Sequence, residues 1–392
     1  MTKKQPFLDL PISSLGYGCY ALSGAYGAKL EESEMIRILQ HSYELGIRFY
    51  DTSSSYSDTE DILGKATKPF RNDITIASKV GLSAGNKVNL TKEFVKSSCE
   101  SSLKNLKTDY LDIYQVHFHD PNTPVDETIE ALESLKQEGK IKYYGVGHLP
   151  LDKTIEYLDL GDISFVLAEM SPVSTYRYRE LHPLQARYDF NIIAFSITGR
   201  GLLSGTINNS TQFANNDIRS IDPLFKKSRL ISGMRIAEKL GELGNRYGKT
   251  PAQVAISWTI QNPGVIVGLT GPTNIEHLKE NSISLNWSLD KESIEDINQF
   301  IEKEEKKLRK VLYEELEDIL NSKLSFNYEK TYKDLIYVIE YCIENKLMEY
   351  ESGVNMYMEI LKTKKLDNKS LDRLNEIKME IKSLVNLNRG KL

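Results

Sequence analysis

The stretch FYDTSSSYSDTEDILG, Phe49 to Gly64, opens as an apolar strand and closes as the polar start of a helix. Asp51 stands at the strand end and Tyr56 five residues further on, across a turn rich in hydroxyl side chains. Side chains of this kind bond the free N–H groups that begin a helix, so capping alone accounts for Thr52 to Ser55 and Asp58 to Glu60. A near-continuous apolar strand running straight into a helix is also the unit of a parallel sheet covered by helices. Whether Asp51 and Tyr56 do more than cap depends on what the other strand ends hold.

The unit recurs along the chain. ISSLGYG, RFYDTS, ITIASK, LDIYQVH, KYYGVGH, SFVLAEM, NIIAFS and VIVGLT give eight strand candidates. Between them, segments such as EESEMIRILQHSYELG and TKEFVKSSCESSLKNL repeat apolar residues at spacings of three and four, the helical period. Thr91 precedes one helix, and Gly46 and Gly139 follow two others. Eight such units in roughly 300 residues predict an α/β fold, a closed (β/α)8 TIM barrel, rather than an open doubly wound sheet. GYGCYALSG has the first two glycines of a dinucleotide fingerprint and then departs from it.

Composition sets the class. The 392 residues, 40% hydrophobic and 27% charged, are those of a globular protein. A net charge of -5 from 50 basic and 55 acidic residues sets up no field for nucleic acid or an anionic membrane. Pro6 and Pro11 interrupt an N-terminus without a signal-length apolar core, and no apolar run is long enough to span a bilayer. Cys19, Cys99 and Cys342 are widely spaced and form no CxxC, which points to a reduced, cytoplasmic compartment without a cysteine metal site.

The pattern changes near Lys303. EKEEKKLRKVLYEELEDIL is a charged helix, and the chain from there to Leu392 reads as an all-helical extension with turns at Ser352-Gly353 and Asp367-Asn368. The expected division is a barrel over 1–302 and a helical unit over 303–392. Leu308, Val311, Leu312, Leu316 and Ile319 form a stripe suited to internal packing or self-association, and the extension otherwise suits capping the active site or recruiting a partner protein.

Active sites of such barrels lie at the C-terminal ends of the strands. There the sequence places Asp51, Lys79, His117 and His148, with Tyr56 in the loop after the second strand. An ammonium beside a phenol stabilises the phenolate, and a carboxylate fixes the ammonium and offsets its burial. Tyr56, Lys79 and Asp51 would thus make a tuned proton donor, with His117 holding a substrate oxygen. Each residue alone has a structural explanation, as a cap, a solvated rim charge or a satisfied histidine; four on adjacent units favour chemistry.

FYDTSSSYSDTEDILG, IASKVG, DIYQVHFHD, GKIKYYGVGH, FSITGRGLLSG and VIVGLTGPTNIEHLKEN, in that order, resemble the aldo-keto reductases from about Ile12 to Ile301. The resemblance implies a catalytic tetrad of Asp51, Tyr56, Lys79 and His117. It also implies a nicotinamide cofactor, NADPH/NADP with NAD as the alternative, lying extended over the barrel mouth. Hydride would pass to a carbonyl carbon while Tyr56 protonates the oxygen. The positions implied for cofactor contact are Gly18, Cys19, Tyr20, Asp51, His148 and Met170 around the barrel end, then Ser196, Thr198, Gly199, Gly201 and Leu203 in the pyrophosphate loop, where Arg200 adds charge. Gly271, Thr273, His277, Glu280 and Asn281 would meet the adenosine end, with Gly271 and His277 at positions where the family often has Lys or Arg.

Three departures gather around the nicotinamide. Gly147-His148 stands for the family's Ser-Asn, Leu167 for a Gln and Met170 for a stacking aromatic residue. Fewer carboxamide contacts leave open a reaction such as epimerisation with a retained cofactor, or a nicotinamide-binding regulatory protein on the same barrel. The HxH of His117 and His119, with His148 and His182, would serve a metal hydrolase if further ligands joined it. The substrate expected is a small carbonyl or alcohol, and Tyr20, Tyr26, Phe118 and Tyr176 are aromatic residues that suit its pocket or the core.

Overall fold

In the computed structural model the chain closes eight parallel strands into a barrel. The structure describes residues 9–387 other than 28, 84–86, 323, 325–327, 345–346, 349–351, 354, 357–358 and 361–367. The barrel strands are β1 (Leu15–Gly18), β2 (Phe49–Asp51), β3 (Thr75–Val80), β4 (Leu111–Val116), β5 (Ile141–Gly147), β6 (Ile163–Glu169), β7 (Asn191–Phe195) and β8 (Val265–Thr270). They pair in chain order, and β8 closes the barrel on β1. Each corresponds to one of the eight runs read from the sequence.

Alternation along the strands decides what reaches the mouth. Phe49, Ala77, Ile113, Phe165, Ile193 and Val267 fill the barrel interior, while Tyr50, Ile76, Tyr114 and Val166 face the surrounding helices. Two residues beyond Phe49 is Asp51, two beyond Ala77 is Lys79, and four beyond Ile113 is His117. The period of two that packs the interior therefore aims all three polar side chains along the axis.

The helices around the barrel are α1 (Glu32–Glu44), α2 (Thr59–Thr67), α3 (Lys92–Leu106), α4 (Val125–Gln137), α5 (Leu151–Leu160), α6 (Tyr176–Leu181), α7 (Lys227–Tyr247), α8 (Pro251–Ile260) and α9 (Ile275–Ser282). Gly46 and Gly139 end α1 and α4 at φ of 95° and 70°, a conformation that favours glycine.

A long helix, α10 (Lys291–Asn321), carries the chain out of the barrel, followed by α11 (Tyr328–Glu344) and α12 (Asn368–Leu387). Ile297 and Ile301 of α10 belong to the barrel's helix layer, and Leu312, Leu316 and Ile319 to a second hydrophobic core with Leu335 and Ile339 of α11 and Ile377 and Ile381 of α12. Each fully buried Leu or Ile stabilises such a core by roughly 1.5–3 kcal/mol, so the extension is a packed unit and not a trailing segment. Two expectations are corrected here. Val311 is 40% exposed and leaves the packing stripe, because α10 buries a narrower face there. Ser352 and Gly353 are helical and form no turn. Asp367 lies outside the described residues, and Asn368 begins α12. No described helix is long and apolar enough to cross a membrane.

Candidate active site

Asp51 pairs with Ala77 across β2 and β3, and Lys79, two residues further along β3, meets Asp51 at the barrel mouth with Nζ 2.5 Å from Oδ1. Both are buried, and Nζ also donates to the Thr52 carbonyl at 2.8 Å. The ammonium stands 4.8 Å from the centre of the Tyr56 ring, which packs edge-on against His117 with centroids 5.7 Å apart. The hydroxyl turn holds this cluster in place. Ser53 Oγ contacts Ser55 Oγ at 2.8 Å and reaches His117 Nδ1 at 3.5 Å, while Ser54 Oγ donates to the Lys79 carbonyl at 3.3 Å. Glu60 is buried as the acceptor of Ser78 Oγ and Asn105 Nδ2, which ties α2 to β3 and α3.

The electrostatics favour neutral forms. Burial pushes the Tyr56 phenol well above its usual range and the Asp51 charge adds to this, so Tyr56 carries its proton at neutral pH. Burial, followed by the Lys79 ammonium, holds His117 well below the ordinary histidine range, and the same two causes bring His148 down to about 3. Both imidazoles are therefore neutral N–H donors. Burial raises the Asp51 carboxyl against the opposing pull of Lys79. Gln115, the register partner of Lys79, also lowers it, yet Asp51 Oδ2 and both Gln115 amide atoms are buried without a closed hydrogen bond among the described residues.

A cavity of about 1100 Å³ runs from Asp51, Tyr56 and His117 across the end of β8 to α9. Gly18, Tyr20, His148, Ser196, Thr198 and Gly201 line it on the barrel side. Gly271, Thr273, His277, Glu280 and Asn281 line its far end. Gly271 is fixed by close approach, since a Cβ there would lie 2.5 Å from the Gly18 carbonyl oxygen. Tyr26 and Phe118 also face the cavity; Tyr176, which begins α6, does not.

Four of the expected cofactor positions lie elsewhere. Cys19 and Met170 are wholly buried in the helix layer, where burial raises the Cys19 thiol. Gly199 and Leu203 are buried behind the loop wall, with their N–H groups donating to Ser196 and Thr198 carbonyls at 2.7 and 3.1 Å. The Gly201 N–H likewise donates to the Thr198 carbonyl, at 3.2 Å. This loop thus faces the cavity with Ser196, Thr198 and Arg200 rather than with those amides.

The departures around the nicotinamide position are coupled. Gly147 and Leu167 are register partners, and a Cβ on Gly147 would lie 3.1 Å from the Leu167 Cβ. Leu167 lines the cavity and His148, at φ 50°, turns into it. His148 lies between the rings of Phe118 and Phe195, at 5.3 and 4.9 Å between centroids.

Sequence reasoning missed Phe195, Arg219, Asp222 and Thr270, all lining the cavity. Phe195 was legible, since it continues the inward alternation of Ile193. Arg219 and Asp222 belong to a long loop without a periodic pattern. Among the described residues no group of three or more His, Cys, Asp or Glu has metal-holding geometry, and His182 is stacked on Tyr178 with Nδ1 on Gln185.

The residues present fit an elongated, phosphate-bearing group. The cavity has the volume for a dinucleotide, and Thr270 Oγ1 at the end of β8 is buried without a partner among the described residues. Barrel and rim together set a buried cluster of Asp51, Lys79, Tyr56 and His117 at one end of a cavity of dinucleotide size.

A family model for the aldo/keto reductase family matches residues 14–302. The chain is 31% identical to the probable aldo-keto reductase 1 of Glycine max over 293 residues, 73% of this chain and 84% of that protein. Among solved structures it is similar to a Bacillus halodurans aldo-keto reductase in its holo form, with 28% identity, a TM-score of 0.63 and coverage of 75% and 95% of the two chains. A Gluconobacter oxydans glycerol dehydrogenase shares the fold at a TM-score of 0.70 and 23% identity, over 77% of this chain and 95% of that one. The chain belongs to the aldo/keto reductase family and is an NAD(P)-dependent oxidoreductase.

Proposed function

We propose that the protein reduces an aldehyde or ketone to an alcohol, or runs the reverse oxidation, with NADPH/NADP as the preferred cofactor and Tyr56 as the general acid and base. The observation that carries this reading is the buried Lys79–Asp51 pair at 2.5 Å beneath the Tyr56 ring. A nicotinamide cofactor, when bound, supplies or accepts the hydride. In reduction Tyr56 gives its phenolic proton to the carbonyl oxygen as that oxygen gains charge, and the Lys79 ammonium stabilises the phenolate left behind. Neutral His117 donates an N–H to the same oxygen and sets its orientation. Asp51 keeps the ammonium from turning away.

Ser196, Thr198 and Arg200 would hold the pyrophosphate, and Thr273, His277 and Asn281 the adenosine end. His148 would donate to the carboxamide where the family uses Ser-Asn, and Leu167 would give it an apolar wall. We assign the protein to the cytoplasm, its substrate to small carbonyls or alcohols, and residues 1–302 and 303–392 to a reductase barrel and a helical extension. The test follows NADPH and NADH consumption with a panel of aldehydes and ketones. Wild type turns over and Tyr56→Phe loses activity while still quenching NADPH fluorescence. Equal turnover by the two proteins refutes the proton-donor role, and binding without turnover of any carbonyl favours a binding protein on this barrel.

A further inference from the structure

The loop between β7 and α7, residues 196–226, does not stay beside its own strand. Asp217 pairs with Tyr26 in the loop after β1, the Ile218 N–H donates to the Ala25 carbonyl at 2.9 Å and Asn216 Nδ2 to the Gly27 carbonyl at 3.2 Å. Because β8 lies between β7 and β1, this strap crosses the end of β8 and roofs the cavity. Arg219 braces it on Asp217 at 2.6 Å and lies over the rings of Tyr26 and Phe213.

The strap continues straight into the C-terminal helices. Ile221 packs against their core, and Ser228 Oγ, just beyond the strap, donates to Glu315 of α10 at 2.7 Å. Glu315 also accepts from Tyr337 of α11, whose ring faces Lys227 and Arg229. One turn along α11, Glu340 lines the same cavity as Arg200, Ile221 and Asp222. Arg200 is held between Glu169 at 2.9 Å and Asp222 at 3.1 Å. In this part of the cavity two guanidinium groups, Arg200 and Arg219, and two carboxylates, Asp222 and Glu340, line the wall, while Glu169 and Asp217 pair with the guanidinium groups from outside the lining.

We propose that the C-terminal helices are part of the cofactor site: Ile221 anchors the strap over the cavity from their side, and Glu340 supplies a wall carboxylate that opposes the entry of a pyrophosphate. The extension then sets how fast a dinucleotide enters and leaves, while the chemistry at Tyr56 lies at the other end of the cavity. This rests on the reductase reading given above.

The contributions have opposite signatures, so two point variants of the full chain separate them. Ile221→Ala removes the anchor's branched side chain and leaves the cavity charges in place. The loss of part of a half-buried aliphatic contact raises the cofactor dissociation rate about five- to tenfold. Glu340→Gln keeps shape and removes one negative charge; it raises the association rate about two- to fivefold at low salt, with the gain lost near 0.5 M salt. Both rates are read by stopped-flow quenching of NADPH fluorescence, with no turnover required, and circular dichroism checks that each variant is folded. Wild-type kinetics in either folded variant overturn the inference and leave the reductase reading standing. A wild type that binds neither NADPH nor NADH overturns the reading and the inference together.

Discussion

Replacing Lys79 by Met removes one half of the buried pair and leaves the other. The side chains of Lys79 and Asp51 are 0% and 6% exposed, so water cannot take over the role of the missing ammonium. Breaking a buried ion pair by removing one partner costs about 3–5 kcal/mol, because the remaining charge is uncompensated. For a chain of this length that corresponds to a fall in Tm of roughly 4–6 °C at neutral pH. The sign of the pH dependence follows from Asp51, whose carboxyl burial already raises above its unfolded value. Without Lys79 it rises further. A carboxyl with a raised folded pKa opposes folding only when ionised, so the deficit is small near pH 4, below the folded value, and grows as pH rises through it. Thermal unfolding of wild type and Lys79→Met, compared at matched pH between about 4 and 8, gives the curve. Asp51→Asn added to Lys79→Met removes the stranded charge and restores part of the Tm at pH 8. A deficit equal at both ends of the range, or a double variant no more stable than the single, refutes the electrostatic account of the pair.

Four further outcomes follow from the site. Tyr56→Phe lowers kcat by about 10²–10⁴-fold and leaves cofactor affinity within a factor of about two, measured by steady-state kinetics and fluorescence titration. His117 and His148 are neutral across the physiological range, so kcat for reduction shows no inflection near pH 6.5. Their depressed folded values also make them contributors to stability above pH 6.5 that is lost on acidification below it, towards about 3 for His148, visible as a falling Tm. Arg200→Gln leaves Glu169 and Asp222 without the guanidinium they share; it weakens NADPH binding about tenfold, by isothermal calorimetry, with little change in kcat at saturation.

The barrel and the proton-donating half of the site were legible because one periodicity governs both. The alternation that buries Phe49, Ala77 and Ile113 is the alternation that aims Asp51, Lys79 and His117 at the mouth. Strand ends are read with the same rule as strand interiors. The roof of the cavity follows no such rule. Arg219 and Asp222 lie in a loop whose path depends on a bridge to Tyr26, almost two hundred residues earlier. Glu340 reaches the cavity through helix packing in the extension, and the extension's stripe foretold a packed face but not what it would pack beside. Val311 illustrates the limit within a helix: its spacing fits the stripe, but the partner helices cover a narrower arc than the spacing allows.

The Gly147–Leu167 contact also constrains how the sequence can change. A side chain at 147 meets the branched Leu167 at once, with the first carbon already 3.1 Å from its Cβ. Serine at 147 therefore needs the Leu167 side chain to give by a few tenths of an ångström, and a residue at 167 without the branch that puts Cδ2 at 3.2 Å relieves part of that crowding. Substitutions at 167 open space and are tolerated first. A mutational path from this pocket to the Ser-containing arrangement is therefore easier when 167 changes before 147, an order that a library varying 147 alone would not sample.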